Sequence, residues 1–355
     1  MKTIEKLRNY MNETGIDAVL VHSEINQRYF AKFKFSDGVL VILPKNAYLV
    51  TDFRYYEEAE KNASKDFSVV MPQKRSLFIN EIFSSHGVKT VGFEKDISYG
   101  EYLSLTNLYP DVTLVSLGDE IEKLRSVKSA DELEKIASAQ RIADRAFTHL
   151  LSVITPNMTE IDVALELEFY MRSHGAEGIS FETIAVSGDA SALPHGKCRN
   201  EKLKKGFLTL DFGAVYDGYC SDMTRTLSVG RATDKMKDMY YTTLTAQLAA
   251  LDAIRAGADC AYLDSIARSI IDGAGYEGCF GHSLGHGVGM FIHESPALSM
   301  RYAGELLVPG NVVTVEPGIY IQGEMGVRIE DTVAVEENGC RNFATSTKEL
   351  IELFT

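Results

Sequence analysis

The hydrophobic pattern changes along the chain, and the change predicts two units. Short apolar runs typical of strands, such as Gly38 to Leu43 and Ala47 to Thr51, alternate with amphipathic helical stretches in the leading part of the chain. Ser129 then begins a capping-box signature ahead of a long helical pattern. We therefore expect an α/β (α+β) chain, with a small α/β domain at residues 1–125 and a larger domain at residues 126–355.

The larger domain contains further helical patterns, separated by segments rich in turns and strand-forming residues. Each pattern follows a Ser, Thr or Asp residue, which are favoured N-caps because their side chains accept hydrogen bonds from the first free N–H groups. The predicted helices run from Ser129 towards Ile154, from Thr159 to before Gly175, from Thr233 onwards, and from Asp259 to about Asp272.

Two segments between these helices repeat one order of residue types. Gly206 to Gly213 and Gly310 to Gly318 each contain a glycine, a β run, a carboxylate and another glycine. A return segment with a second carboxylate follows each one, with Asp222 in the first copy and Glu330 in the second. We expect two related hairpins that supply two acids each, as part of a pseudo-twofold internal repeat.

The register of the first hairpin follows from its turn. If Asp217 and Gly218 form a two-residue type I′ turn, Asp211 lies opposite Thr224 and on the same face as Asp222, its diagonal neighbour. A slip of one residue would turn one acid to the other face. The register therefore predicts that two carboxylates share one site.

The second hairpin is subject to a similar condition. Glu316 and Glu330 share a face only if the connection between the strands has an odd number of residues. A connection from Gln322 to Gly326 satisfies this condition. The prediction for this hairpin therefore depends on the length of its loop.

Five residues of the larger domain together have the composition of a binuclear metal site. They are Asp211, Asp222, His286, Glu316 and Glu330, and they fall at glycine-marked turns and strand ends. Four carboxylates gathered around one imidazole would repel one another strongly once desolvated, whereas two divalent ions would neutralise them. The cluster predicts two divalent metal ions.

The imidazole belongs to a glycine-rich segment, His282 to Gly289, in which the glycines allow close approach of the backbone. The segment lacks the glutamate of H-E-x-x-H, and its glycines argue against a helix that presents both histidines on one face. It also lacks the strand, helix and downstream acid of a dinucleotide-binding loop. A zincin helix and a dinucleotide site are therefore both disfavoured.

Charge and composition narrow the class of protein. Fifty acidic and thirty-six basic residues give a formal net charge of −14, which disfavours binding to nucleic acid. The start of the chain has no continuous apolar region of the signal-peptide kind, and every later apolar run is too short to span a membrane. The five cysteines form no C-x-x-C pair, which disfavours a zinc finger. We expect a cytoplasmic protein that does not enter the membrane.

The chain resembles the pita-bread metallopeptidases, a family that includes methionyl aminopeptidase, Xaa-Pro aminopeptidase, prolidase and creatinase. Five ordered segments carry the resemblance: Leu193 to Gly196, Asp211 to Asp222 continuing to Thr226, His282 to His293, Val315 to Gly318, and Val327 to Asp331. Thr51 to Tyr55 and the linker Leu124 to Ile136 resemble the creatinase-like amino-terminal domain. The resemblance therefore covers nearly the whole chain.

The resemblance implies metal-binding roles for the five clustered residues. Asp211 would bind one ion, His286 and Glu316 the other, and Asp222 and Glu330 would bridge them. The oxygen-rich set favours manganese, with cobalt, iron or zinc as alternatives. Ions held in this way would activate a water molecule as the nucleophile.

The resemblance also implies roles for residues around the ions. Glu316 would act as the acid/base group, and His195 and His293 would bind the substrate and stabilise the charged intermediate. His282 would line the pocket around the second substrate residue, and Arg328 would orient the metal-binding carboxylates. A core histidine and a plain salt bridge are the alternatives for His282 and Arg328.

Substrate choice within the family stays open. The creatinase-like leading domain favours the Xaa-Pro branch, in which the scissile bond precedes proline. Some prolidases place an arginine after H-E-x-P to bind the dipeptide's carboxylate, whereas Ala297 follows Pro296 here. This difference favours an Xaa-Pro aminopeptidase, with an Xaa-Pro dipeptidase (prolidase) as the alternative.

A function of another class is also open, because some pita-bread proteins are non-catalytic binding modules that have lost the metal ligands. The presence here of all five candidate ligands and both flanking histidines disfavours it. The resemblance further implies a homodimer that acts on proline-containing peptides.

Overall fold

The first unit is built around a mixed sheet in the computed structural model, which describes residues 3–355. The unit extends to Arg125. Its described elements, in chain order, are α1 (Thr3–Thr14), β1 (Ala18–Val21), α2 (Glu24–Ala31), β2 (Gly38–Ile42), β3 (Ala47–Thr51), α3 (Tyr56–Asn62), β4 (Ser68–Val70), α4 (Arg75–His86), β5 (Thr90–Phe93), α5 (Tyr99–Leu108), β6 (Thr113–Ser116) and α6 (Glu120–Ser126).

The strands of this unit pair in the order β4-β3-β2-β1-β5-β6. The β1–β2 and β2–β3 pairs are antiparallel, and the other pairs are parallel. Apolar side chains of the central strands, such as Leu20 and Val41, pack with Ile79 and Phe83 of α4 to form the core. The two apolar runs of the sequence are β2 and β3, so the strands predicted there are confirmed.

The second unit, Ser126–Thr355, contains all the candidate metal ligands and substrate-binding residues. Its helices and strands are α7 (Ala130–Val153), α8 (Glu160–Ser173), β7 (Gly178–Ile179), β8 (Ile184–Ser187), β9 (Gly206–Phe212), β10 (Ala214–Tyr216), β11 (Tyr219–Cys220), β12 (Met223–Val229), α9 (Asp234–Ala253), α10 (Cys260–Ile271), β13 (Gly285–Gly287), β14 (Glu294–Leu298), β15 (Val312–Val315), β16 (Gly318–Ile321), β17 (Met325–Arg328), β18 (Asp331–Glu336), β19 (Gly339–Asn342) and β20 (Glu352–Leu353). Short helical turns of other types follow β8, α10 and β14.

The four long helices of the second unit begin at the residues that the sequence predicts. Ser129 and Thr159 form capping boxes for α7 and α8. Thr233 and Asp259 cap α9 and α10 by accepting hydrogen bonds from backbone N–H groups of the first turn. Across the described residues, none of the helices has both the length and the apolar character required to cross a membrane.

The second unit repeats one order of elements. Helices α7 and α8 are followed by the antiparallel strands β8-β9-β12, and α9 and α10 are followed by the antiparallel strands β13-β15-β18. Each half has its own core of buried apolar residues, and an isolated β-bridge recurs at the cap residues Thr159 and Asp259. The internal repeat predicted from the glycines and carboxylates is present.

The first hairpin has the predicted register. Tyr216 pairs with Tyr219, which leaves Asp217 and Gly218 as a two-residue turn, and both turn residues have positive φ. Positive φ at both central positions is the requirement of a type I′ turn. Asp211 pairs with Thr224, as expected.

The second hairpin has a shorter loop than the sequence suggested. Ile321 pairs with Met325, so the loop is Gln322–Glu324 and does not extend to Gly326. The number of loop residues is still odd, and the same register continues to the pair Val315 and Asp331. By this register Glu316 and Glu330 are directly opposite each other. The prediction that they share a face holds, because either odd loop length preserves the face.

A buried ionic cluster ties β18 to its surroundings. Asp331, which is 0% exposed, accepts hydrogen bonds from Arg225 at 2.8 Å and Lys348 at 2.8 Å. Gln247 and Asn342 donate to the same carboxylate. Burial alone would raise its pKa, but the charges of Arg225 and Lys348 lower the pKa of Asp331 to about 2.

We predict that Asp331→Asn lowers the free energy of unfolding at pH 7 by about 3–5 kcal/mol, because Arg225 would keep a buried charge without its partner. The folded-state pKa of Asp331 lies below that of the unfolded chain, so its ionised form stabilises the fold above the unfolded pKa of ~4. This stabilisation is lost as the pH falls towards about 2. Urea unfolding of the wild type and the variant should therefore show a smaller difference at pH 3 than at pH 7, and a difference that does not depend on pH would contradict the assignment.

Candidate metal centre

The two hairpins and β13 bring the five candidate ligands to one cavity. Asp211 is near the end of β9, Asp222 precedes β12, His286 is the central residue of β13, and Glu316 and Glu330 flank the second hairpin. All five line a cavity of about 480 Å³. The cavity is also lined by the other four residues that the sequence singles out: His195, His282, His293 and Arg328.

The spacing of the donor atoms suits atoms that share an ion. His286 Nε2 lies 3.4 Å from Asp222 Oδ2 and 3.4 Å from Glu316 Oε1, which exceeds the usual length of an N–H···O hydrogen bond. Ligand atoms of Asp222, His286 and Glu330 lie within 4.8 Å of one another. These donors are close enough to bind a common cation.

The tautomer of His286 follows from its second ring nitrogen. His286 Nδ1 lies 3.1 Å from the backbone oxygen of Gly287, and a carbonyl oxygen can only accept a hydrogen bond. Nδ1 therefore carries a proton. When the ring is neutral, the lone pair of Nε2 points to the carboxylates, as a metal ligand requires.

The carboxylates are too deeply buried to be stable as a group of free anions. Asp222 is 4% exposed and Glu330 is 2% exposed. Burial raises the pKa of Asp222 to about 7, and burial together with the charges of Asp222 and Glu316 raises the pKa of Glu330 well above its usual range. Burial also raises the pKa of Asp211, although Arg328 opposes the shift.

Two buried oxygens give an independent test of whether metal ions fit. Within the described residues, Asp211 Oδ1 and Asp222 Oδ1 are buried and have no hydrogen-bond partner. A buried acceptor without a partner is costly, and bound cations would satisfy both oxygens. Together with the oxygen-rich donor set, this fits hard or borderline divalent ions. Burial alone would lower the pKa of His286, but Asp222 and Glu316 raise it to about 9, which shows the same demand for positive charge.

Arg328 lines the same cavity and restrains the carboxylates of both hairpins. Its Nη2 donates to Asp211 Oδ2 at 2.6 Å, and its Nε donates to Thr224 Oγ1 at 3.0 Å. The Thr224 hydroxyl in turn donates to Glu330 Oε2 at 2.6 Å. One guanidinium thus fixes the orientation of a carboxylate from each hairpin.

Close approach of β13 to its neighbours β15 and β14 explains two of the glycines. A Cβ atom on Gly285 would lie 1.9 Å from the backbone oxygen of Thr314, and one on Gly287 would lie 2.3 Å from that of Glu294. Since no side chain fits at these distances, glycine is required on both sides of His286. The Thr314 hydroxyl accepts from the His286 N–H at 3.0 Å and donates to Glu316 Oε1 at 3.0 Å.

The three other histidines surround the cluster. The rings of His293 and His286 are 4.3 Å apart and nearly perpendicular. His282 Nε2 lies 2.9 Å from the hydroxyl of Tyr320, which also accepts from Arg328. Burial lowers the pKa of both His282 and His293 and so favours their neutral rings. His195 is exposed at the cavity wall.

Three contributors to the site were missed by the sequence analysis. Thr224 and Thr314 each lie two residues from a candidate ligand, so the period-2 alternation of a strand could have placed them on the ligand face. Tyr320 contacts both His282 and Arg328. Its contact with His282 could not be predicted from local sequence, because it depends on how the second hairpin meets the glycine-rich segment.

Comparisons with known proteins agree with this architecture. The sequence pattern of Metallopeptidase family M24 matches residues 134–337, and that of the Creatinase/Prolidase N-terminal domain matches residues 3–127.

Individual relatives match over almost their whole length. An Xaa-Pro dipeptidase of Pyrococcus furiosus is 38% identical over 98% of this chain and 99% of its own. The structure of an Xaa-Pro dipeptidase from Bacillus anthracis superposes with a TM-score of 0.95 at 43% identity and covers 99% of both chains. The structure of an X-Pro aminopeptidase from Thermotoga maritima superposes with a TM-score of 0.91 at 36% identity and covers 96% of this chain and 98% of that one.

The matches extend through both units, and the range 134–337 contains all five candidate ligands. The chain has the pita-bread fold and belongs to metallopeptidase family M24, a family of metal-dependent hydrolases.

Proposed function

We propose that this chain hydrolyses the peptide bond that precedes proline, and that its preferred substrates are Xaa-Pro dipeptides. The main support is structural: five candidate metal ligands and three further histidines line one cavity. The chain is also 38% identical to an Xaa-Pro dipeptidase over almost its full length. The proposal includes the homodimer that the family resemblance implies.

In this proposal Asp211, Asp222, His286, Glu316 and Glu330 hold two divalent ions, with manganese favoured by the donor set. When bound, such ions polarise a carbonyl group and acidify a water molecule. The remaining tasks belong to the protein. Arg328 and Thr224 keep the carboxylates in position, because Arg328 donates to one oxygen of Asp211 and Thr224 donates to one oxygen of Glu330.

Glu316 is the proposed acid/base group. The Thr314 hydroxyl restrains its Oε1, while its Oε2 lies 4.0 Å from His282 Nδ1. Glu316 would take the proton of the attacking water and pass it to the proline nitrogen, which is a poor leaving group unless it is protonated.

The histidines are the proposed substrate contacts. His195 and His293 would donate hydrogen bonds to the oxygen on which negative charge develops. Burial favours a neutral ring at His293, and a neutral imidazole can still donate one hydrogen bond there. His282 would line the space taken up by the proline ring.

The names of the relatives favour a dipeptidase, whereas the residue after the H-E-x-P segment favours an aminopeptidase, the second candidate function. Xaa-Pro dipeptidases are found both among the similar sequences and among the similar structures. An Xaa-Pro aminopeptidase is supported by Ala297, which leaves the H-E-x-P segment without a following arginine, and by the similarity to the X-Pro aminopeptidase of Thermotoga maritima.

We predict that metal removal lowers the stability of the fold, because the buried carboxylates would be left without counter-ions. Saturating the chelator-treated protein with Mn²⁺ should raise its melting temperature, since an ion at ~100 times its Kd contributes about 2.7 kcal/mol. Differential scanning calorimetry measures the shift. Glu330→Gln should reduce it strongly, whereas Glu337→Gln, a change of an exposed acid after β18, should leave it unchanged. Equal shifts in both variants would contradict the assigned ligand set.

We further predict that the manganese-loaded protein cleaves Ala-Pro faster than Ala-Pro-Ala. Glu316→Gln should lower kcat on Ala-Pro by a factor of about 10² to 10⁴, the usual contribution of a general acid–base group. Steady-state release of alanine measures both effects, and circular dichroism checks that the variant is folded.

The pair of substrates separates the two candidates. Faster cleavage of the tripeptide would identify an aminopeptidase, and cleavage of neither peptide would refute Xaa-Pro hydrolysis. Full activity of Glu316→Gln would remove this residue from the acid/base role.

A further inference from the structure

The cavity wall carries a cationic side chain that the proposed mechanism does not use. Lys197 lines the same cavity as the candidate ligands and is exposed. Within the described residues, its ammonium group has no hydrogen-bond or ion-pair partner. Arg328, which also lines the cavity, is already bound to Asp211, Thr224 and Tyr320. Lys197 is therefore available to an anionic group of the substrate.

The backbone next to Lys197 is fixed against β8. The Cys198 thiol lies 3.3 Å from the backbone oxygen of Thr183 and accepts from the N–H of Ala185 at 3.2 Å. These contacts hold Cys198, the residue after Lys197, against the start of β8. The backbone from which the Lys197 side chain extends therefore lies next to an anchored residue.

A buried hydroxyl lies in the same part of the wall. Thr183 is 4% exposed, lines the cavity, and its Oγ1 has no hydrogen-bond partner within the described residues. A buried hydroxyl without a partner is costly and is a ready donor to an incoming acceptor. An ammonium group and a hydroxyl can each donate a hydrogen bond to a carboxylate oxygen.

A dipeptide substrate would bring a carboxylate to this region. Its free carboxyl group belongs to the residue that follows the scissile bond, and consecutive Cα atoms are only ~3.8 Å apart. The other charged groups of the wall that are not candidate ligands are Arg328, which is engaged, and Glu182, which would repel an anion. Among these charged side chains of the cavity wall, Lys197 is therefore the one that can attract the substrate carboxylate.

We propose that Lys197, with the hydroxyl of Thr183, binds the free carboxyl-terminal carboxylate of the dipeptide substrate and thereby determines selection for dipeptides. This inference rests on the proposed function and extends it, since it assigns the preference for dipeptides to named side chains.

Ala-Pro and its carboxyl-terminal amide test the proposal. The two substrates have the same scissile bond, and only Ala-Pro has the negative charge of a free carboxylate. With the manganese-loaded full chain, Lys197→Gln should lower kcat/KM for Ala-Pro by about tenfold, mostly through KM, and change that of the amide less than about twofold. Lys197→Arg should restore most of the loss. Lys205→Gln alters an exposed lysine outside the cavity wall and should affect neither substrate.

A binding measurement provides a readout that does not require turnover. In the Glu316→Gln background, calorimetry should show that Lys197→Gln weakens the binding of Ala-Pro and leaves that of the amide unchanged. Thr183→Val should follow the same pattern with a smaller loss, and an equal loss on both ligands would exclude Thr183 from the site.

The outcomes separate this inference from the function on which it rests. If the wild type cleaves Ala-Pro but Lys197→Gln affects the acid and the amide equally, or affects neither, Lys197 is not the carboxylate-binding residue. If the wild type cleaves neither Ala-Pro, the amide nor Ala-Pro-Ala, the proposed function itself fails.

Discussion

Mutual repulsion among four carboxylates, two of them buried and two partly buried, is the constraint on which the rest of the second unit depends. Asp211, Asp222, Glu316 and Glu330 line one cavity beside a single candidate imidazole ligand. Arg328 binds Asp211, but two buried oxygens still lack partners within the described residues. Bound cations would relieve this repulsion and satisfy the two oxygens, which links the stability of this part of the fold to metal binding.

The carboxylates are brought together by a backbone arrangement that occurs twice in the second unit. Each half of the unit has a pair of helices followed by a hairpin that carries two carboxylates. The first hairpin has a two-residue turn and the second a three-residue loop, and each loop length puts both carboxylates of its hairpin on the same face. The N–H of Glu330 donates to the backbone oxygen of Thr224, which joins the second hairpin to the first. Glycines on both sides of His286 then allow β13 to approach closely enough for the imidazole to reach the acids.

Local rules of sequence explain why so much of this arrangement could be predicted. Short-range hydrogen bonds determine the helix caps Ser129 and Thr159, and backbone preference determines the Asp217–Gly218 turn. The period-2 alternation of a strand then determines which side chains lie on the same face. The loop of the second hairpin was predicted two residues too long, because parity alone does not choose between odd lengths. Tyr320 and Lys197 gave no signal, since their surroundings are assembled from segments that are distant in sequence.

The central claim is that these donors meet around two ions. The most direct test is a crystal structure of the manganese-loaded protein with anomalous diffraction data collected on both sides of the manganese absorption edge. The account predicts two anomalous peaks in the cavity, both in contact with Asp222 and Glu330, one beside Asp211 and the other beside His286 and Glu316. A map without peaks at these positions, or with the five side chains separated from one another, would contradict it.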